Sequence, residues 1–366
     1  MDDSRSTSGY RWQMTGVGEP LVRVRFALPA PGPGEALVRV AGCGVCHTDL
    51  GYLFDGVKTR GSLPLALGHE VSGVVEAAGA GFAPLVGRAV IVPAVTPCGQ
   101  CPACRTGYGS ICATQTMPGN DVQGGFASHL VVPARGLCVL DGEPGLLEGG
   151  TFGDSGCTLA ELAVIADAVT TPYQAMHRAH VKERDLVVVI GLGGVGGFAA
   201  LIGRALGATV VGFDIDGRRR EMLSAHGVAK VIDPSGREAR DLKNEVRAFA
   251  KDAGAPAVCW KIFECSGSAA GQDLAWNMLG PGAYLSVVGF TMAKLEVRLS
   301  NLMAFDAKAA GNWGCLPEHY PGAVRLCRDG KVPLKPFVET YPLDRIQEVM
   351  TMVREHRVSR RPVLIP

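Results

Sequence analysis

Four cysteines, Cys98, Cys101, Cys104 and Cys112, stand in C-x-x-C-x-x-C-x7-C order within PCGQCPACRTGYGSIC. Two-residue gaps turn the backbone enough to aim successive sulfurs at one point, so these four thiolates can close a tetrahedron around zinc. With every position filled by protein, such a site is structural; an iron–sulfur cluster is the chemical competitor. A second group, Cys46-His47-Thr48-Asp49 and Gly68-His69-Glu70, offers one sulfur, two imidazoles and two carboxylates. Zinc can draw fewer than four permanent ligands from these, leaving an open position where chemistry can occur. Asp167 is the candidate for a further ligand, because its charge sits in the apolar run LAELAVIADAV and needs a partner there. The same residue also reads as a helix N-cap ahead of Thr170-Thr171-Pro172, and the sequence leaves both readings open.

A third constellation lies in LVVVIGLGGVGGFAALIGRALGATVVGFD, residues 186–214. The aliphatic run Leu186–Ile190 is a strand buried on both faces. Gly191, Gly193 and Gly196, with Gly194 and Val195 between, give G-x-G-x-x-G before a helix that ends at Gly207. These glycines permit a tight turn and close backbone approach to a pyrophosphate at the helix N-terminus. Asp214, at the end of the next strand, is placed to accept from the adenosine ribose hydroxyls and to repel the extra phosphate of NADP, which favours NAD. Arg218 opens the run Arg218-Arg219-Arg220 and is the counterweight, since it can bind that phosphate.

The elements that must position these groups follow from texture. Across residues 21–140, short strands at Ala36–Val40, Val71–Val75 and Ala89–Val92 alternate with glycine- and proline-rich turns, which is the pattern of a β-barrel-like unit with little helix. From Thr158 the spacing becomes helical. The doubly wound half then continues through Val231-Ile232, a helix at 237–253, a strand at 258–263, a helix at 269–279 and a strand at 283–288. The remainder, with helices at 321–328 and 345–355 and a terminal strand at 362–365, returns to the first domain. The expected division is a catalytic domain over 1–167, a dinucleotide-binding domain over 168–306 and a returning segment over 307–366.

The chain has 366 residues and a net charge of +1, with no basic stripe for nucleic acid. No stretch is long and apolar enough to span a membrane, and the N-terminus lacks the order of a signal peptide, so the expected location is the cytoplasm. There thiols stay reduced, and the 12 cysteines read as ligands or core fillers before disulfides. Outside the two clusters, Cys43, Cys138, Cys157, Cys259, Cys265, Cys315 and Cys327 are expected to be small buried apolar residues.

Taken together, the two cysteine- and histidine-bearing segments, the GHE tripeptide, the G-x-G-x-x-G turn and the returning C-terminal segment resemble the zinc-dependent medium-chain alcohol dehydrogenases. That resemblance implies a GroES-like β-barrel catalytic domain joined to a Rossmann domain, an α/β protein with NAD and two zinc ions per subunit, one catalytic and one structural. It implies that Cys46, His69 and Asp167 ligate the catalytic zinc, where most members have cysteine at the third position, and that Glu70 is a conditional fourth ligand. Asp49 then orients the ligand histidine, Thr48 takes the proton of the substrate, and His47 faces the cofactor pyrophosphate. Gly51 departs from the members that carry a proton-relaying histidine there. The implied reaction is oxidation of a secondary alcohol to a ketone, with a small-molecule alcohol or ketone as partner and a homodimer or homotetramer as assembly. Taken end to end, the likeness extends to members whose cyclic allylic alcohol is carried on a CoA thioester; Lys58 and Arg60 are candidates for the CoA phosphates, and Tyr52, Phe54, Trp313 and Leu316 for the pocket. The alternatives are a dehydrogenase of another secondary alcohol or polyol, a zinc-free enoyl or quinone reductase of the same superfamily, and a non-enzymatic NAD-binding protein.

Overall fold

A computed structural model describes residues 7–143 and 145–366. The chain forms two compact units, residues 1–170 with 314–366, and residues 171–313.

The first unit is built on a seven-stranded sheet. Its strands run in the order Val338–Pro342, Arg361–Ile365, Glu35–Gly44, Glu70–Ala78, Ala89–Val92 and Cys138–Val139, with His129–Pro133 also pairing on Glu35–Gly44. A smaller three-stranded sheet orders Val22–Ala27, Ser8–Met14 and Leu65–Ala66. Apolar side chains from both, among them Val38, Val40, Val71 and Val90 of the larger sheet and Met14 and Leu65 of the smaller, share one core with Ile346, Val349 and Met350 from the helix Ile346–Arg354. The returning segment is therefore part of this core, and its strand Arg361–Ile365 lies antiparallel to Glu35–Gly44 with Leu364 opposite Cys43.

The second unit is a six-stranded parallel sheet ordered Lys230–Ile232, Thr209–Phe213, Leu186–Ile190, Lys261–Glu264, Tyr284–Val287 and Lys308–Gly311. Numbered along the chain this is the 3-2-1-4-5-6 order of a Rossmann domain, whose switch point falls beside the first strand. All five residues of Leu186–Ile190 are buried, as a central strand covered on both faces requires.

Several elements differ in extent from the sequence reading. The strand expected over 258–263 begins only at Lys261, because Cys259 takes a positive φ of 61° and turns the chain first. That turn also leaves Cys259 exposed, and Cys265, just past the strand, is half-buried, which corrects the expectation that both are core fillers; Cys43, Cys138, Cys157, Cys315 and Cys327 are buried. The helical texture after Thr158 resolves into a 3-10 segment, Glu161–Ala166, followed by the α-helix Thr170–Arg178. The parallel sheet runs on through Gly311, beyond the boundary expected at 306, since Lys308–Gly311 pairs with Tyr284–Val287.

Candidate metal centres and dinucleotide turn

In the first unit, Cys46 caps the helix His47–Phe54, just beyond the end of the strand Glu35–Gly44. Its backbone N–H donates to Asp49 Oδ2 at 2.9 Å, and the Gly68 N–H donates to Asp49 Oδ1 at 3.0 Å. Asp49 is fully buried and so fastens two loops that are distant in sequence. Its Oδ1 also stands 3.4 Å from Nδ1 of His69, a charge contact longer than a formed hydrogen bond. The other imidazole nitrogen, Nε2, lies 3.6 Å from Asp167 Oδ2, and that oxygen lies 3.8 Å from Cys46 Sγ. One donor atom each from Cys46, His69, Glu70 and Asp167 fall within 4.8 Å of one another.

These separations fit zinc. Ligand bonds of about 2.0–2.3 Å at tetrahedral angles put donor atoms about 3.3–3.7 Å apart, close to the spacings of His69 and Cys46 from Asp167. Burial alone lowers the pKa of His69, but the carboxylates of Asp49 and Asp167 outweigh it and hold the ring well above its usual range. A thiol, an imidazole and a carboxylate, from Cys46, His69 and Asp167, thus surround one point, as expected where a cation belongs.

Asp167 is not an N-cap. It terminates the 3-10 segment Glu161–Ala166, and two contacts that the sequence did not reveal fix it. Tyr320, fully buried, donates from Oη to the Ala166 carbonyl at 2.5 Å and accepts from the Ala94 N–H at 3.0 Å. Ser72 Oγ donates to the Leu159 carbonyl at 2.6 Å, which ties the start of the same segment to the strand Glu70–Ala78. No spacing rule pairs Tyr320 with Ala166; only the return of the C-terminal segment brings them together.

Arg361 is the second residue that sequence reading missed. It is 8 % exposed, and its guanidinium grips both oxygens of Glu70, with Nε to Oε2 at 2.9 Å and a short contact from Nη2 to Oε1. Glu70 is fully buried, and burial pushes its carboxyl up to about 7 against the opposing pull of Arg361. A β-carbon on Gly44 would lie 2.0 Å from Glu70 Oε2, so the neighbouring strand must carry glycine there.

The helix also carries Thr48, whose Oγ1 is 3.7 Å from Cys46 Sγ. His47 is exposed and stacks on His356, with ring centroids 6.2 Å apart. Arg60 pairs with Asp121 at 3.0 Å, while Lys58 is exposed. Tyr52 and Leu316 are buried, Phe54 lies under the Arg354 guanidinium, and Trp313 is 45 % exposed.

The four-cysteine lobe satisfies its own test. Cys98 Sγ is 3.9 Å from Cys104 Sγ, and Cys101 Sγ is 3.4 Å from Cys104 Sγ and 3.6 Å from Cys112 Sγ. A zinc held by four sulfurs spaces them about 3.7 Å apart. Backbone N–H groups of Gln100 and Cys101 point at Cys98 Sγ, and that of Cys98 at Cys112 Sγ, an arrangement that favours thiolates. The Cys98 thiol is drawn down to about 5, first by a hydrogen bond from Thr114 and then by those amides.

In the second unit, Gly191 takes φ of 82° at the end of its strand, where a β-carbon would meet Ser266 Cα at 2.5 Å. On Gly196 a β-carbon would lie 1.7 Å from the Gly191 carbonyl oxygen, so the helix Gly194–Ala205 can pack against the turn only without a side chain there. Gly193 caps that helix and Val195 lies in its first turn. Asp214 Oδ2 accepts from the Leu192 N–H at 2.6 Å, and Oδ1 accepts from the Asp216 N–H at 2.8 Å. The acid thereby braces the glycine turn. Of the three arginines, Arg218 is exposed and faces Asp216, whereas Arg219 Nη1 stands 3.7 Å from Asp214 Oδ2.

An open site of sulfur, imidazole and carboxylate, a closed site of four thiolates and a dinucleotide-binding sheet together define a zinc-dependent dehydrogenase that acts on CH–OH groups. The comparisons agree: residues 32–142 match the alcohol dehydrogenase GroES-like domain and residues 194–329 match the zinc-binding dehydrogenase domain. The chain belongs to the zinc-binding medium-chain alcohol dehydrogenase family. It is 27 % identical to L-galactonate-5-dehydrogenase of Escherichia coli over 89 % of this chain and 92 % of that one. It is also 27 % identical to an alcohol dehydrogenase of Geobacillus stearothermophilus, over 94 % and 96 %. Among solved structures, the cobalt- and zinc-bound thermostable alcohol dehydrogenase of Pyrobaculum aerophilum superposes with a TM-score of 0.81 at 26 % identity, covering 98 % of this chain and all of that one.

Proposed function

We propose that this dehydrogenase oxidises a secondary alcohol with NAD, and that the substrate is a cyclic allylic alcohol on a CoA thioester, as in 6-hydroxycyclohex-1-ene-1-carbonyl-CoA dehydrogenase, which the whole sequence resembles. The product is the 6-oxo compound of anaerobic aromatic degradation. The observation that carries the dehydrogenase reading is the meeting of Cys46, His69 and Asp167 around one point beside Thr48. Cys46, His69 and Asp167 would hold the catalytic zinc, and Cys98, Cys101, Cys104 and Cys112 the structural one. Glu70, engaged by Arg361, is the reserve ligand.

When bound, zinc supplies Lewis acidity at the alcohol oxygen and NAD accepts the hydride from the carbinol carbon. Thr48 Oγ1 accepts the hydroxyl proton of the substrate. Asp49, buried and anchored by two amides, keeps His69 in its ligating orientation. Gly51 offers no side chain to relay a proton, so Thr48 would pass it on by another route, either the cofactor ribose and water or a further group. Gly191, Gly193, Gly194, Val195 and Gly196 would hold the pyrophosphate and Asp214 the adenosine ribose, with His47 a further proposed phosphate contact. Arg218 faces solvent beside Asp216, and Arg219 is the better placed of the pair to act near the ribose.

A second reading, a polyol or sugar-acid substrate, is favoured by the named relative that acts on L-galactonate. Initial rates of NAD reduction separate the two: the CoA thioester turned over well above free polyols supports the first, and the reverse order supports the second. Among the described residues no helix is long and apolar enough to cross a membrane, which is compatible with a cytoplasmic enzyme. Self-association through the second unit is supported by Phe290, Met292, Leu299 and Met303, each at least 69 % exposed, close in sequence to the outermost strand Lys308–Gly311.

A further inference from the structure

Glu264 ends the strand Lys261–Glu264 directly opposite Ile190, the last residue of Leu186–Ile190 before the glycine turn. It is fully buried, and its two oxygens are used unequally. Oε1 accepts from the Ser266 N–H at 2.7 Å, from Ser266 Oγ at 2.5 Å and from the Gly267 N–H at 3.2 Å. Oε2 is sealed and has no hydrogen-bond partner among the described residues. Stranding a buried carboxyl oxygen is costly, so local stability alone does not account for an acid at this place.

What the three bonds fix is the exit of the strand. Cys265 and Ser266 lie against the glycine turn and its helix at two points. A β-carbon on Gly191 would meet Ser266 Cα at 2.5 Å and its N at 2.6 Å, and one on Gly196 would meet Cys265 Cβ at 3.0 Å. On the far side the exit is closed in by Gly289, where a β-carbon would lie 2.4 Å from the Gly267 nitrogen and 2.8 Å from Glu264 Oε2. Boxed in this way, Ser266 cannot shift without moving Gly191. Asp214 braces the same turn from the other neighbouring strand, through the Leu192 N–H. The turn is therefore held from both strands that flank Leu186–Ile190.

We infer that Glu264 is a positioning residue for the dinucleotide: it acts through Ser266 on the backbone of the Gly191 turn, by the reach of Oε1 and not by its charge. The inference rests on the dehydrogenase reading, in which this turn receives the pyrophosphate. An acid one methylene shorter keeps the charge but withdraws the oxygen by about 1.5 Å, out of reach of the Ser266 and Gly267 amides. An amide of the same length loses the charge but keeps an accepting oxygen at the three donors, with its nitrogen at the partnerless position. Aspartate and glutamine at this site therefore separate reach from charge.

The test titrates NADH, followed by its fluorescence, into zinc-loaded wild type, Glu264→Gln, Glu264→Asp and Ser266→Ala. Glu264→Gln should bind within about twofold of wild type, and Glu264→Asp should raise the Kd about tenfold or more. Ser266→Ala withdraws one donor and leaves the carboxyl in place; it should weaken binding about fivefold, and it carries the comparison if Glu264→Asp does not fold. In steady-state rates the KM for NAD should rise with the Kd while kcat does not fall, a split that a general loss of fold would not give. Equal weakening in Glu264→Gln and Glu264→Asp would make charge the cause and overturn the assignment. Wild-type affinity in both Glu264→Asp and Ser266→Ala would overturn it as well, by showing that the turn stands without Glu264. NADH binding that depends on Glu264, without turnover of either the CoA thioester or polyols, would leave the assignment standing and sink the dehydrogenase reading. A wild type that does not bind NADH overturns both.

Discussion

Replacing Arg361 by leucine removes the guanidinium paired with Glu70, at a position where neither partner meets much solvent. Both carboxylate oxygens lose their guanidinium donors, and the strand carrying Gly44 leaves no room for Glu70 to swing away from its present place. Breaking a buried pair on one side costs about 3–5 kcal/mol, because the remaining charge stays desolvated. That is a hundredfold to several-thousandfold change in the folding equilibrium at about 1.4 kcal/mol per factor of ten. Removing both charges avoids most of this: the double variant Glu70→Met with Arg361→Leu should recover at least about 2 kcal/mol of the loss. The assay is urea unfolding of the zinc-loaded proteins at fixed pH, with free energies from linear extrapolation and the coupling from the double-mutant cycle. A single variant that loses less than about 1 kcal/mol, or a double variant no more stable than Arg361→Leu, would refute the reasoning that this pair is held together by mutual desolvation.

Three further outcomes follow from the same geometry. Cys104→Ser should lower zinc content by about one ion per chain and open the segment 96–116 to protease, while NAD titration of the Rossmann unit stays unchanged; protection equal to wild type would show that the lobe does not need its metal. Gly196→Ala should raise the Kd for NADH about tenfold or more, because the added carbon collides with the Gly191 carbonyl and displaces the helix that faces the pyrophosphate; zinc content, measured alongside, should not move. Thr48→Ala should reduce kcat by about a hundredfold or more with little change in NADH affinity, and Thr48→Ser should restore most of it; equal loss of turnover and cofactor affinity would make Thr48 a cofactor-positioning residue instead.

Much of the architecture was legible because its signals are local. A buried aliphatic strand followed by close-spaced glycines and an acid needs no distant partner to be read, and two-residue cysteine gaps state their own geometry. The first unit was legible only as short strands between turns. Its packing partners were not, since Arg361 meets Glu70 and Tyr320 meets Ala166 across separations of 291 and 154 residues that no periodicity records. Asp167 shows the limit most plainly: an acid in an apolar run announced that it needed a partner, but whether that partner was a helix end or a cation site depended on how residues 158–167 lie across two strands. Arg218 and Arg219 differ by one helical step, about 100° around the axis, too fine a distinction for a charge run to settle.

The central claim, that one chain carries two unlike zinc sites, is tested most directly by diffraction from zinc-loaded crystals at the zinc absorption edge. The account predicts two anomalous peaks per chain, one enclosed by Cys98, Cys101, Cys104 and Cys112 and one against Cys46, His69 and Asp167. A single peak in the cysteine lobe, with Cys46, His69 and Asp167 bare of metal, would contradict it.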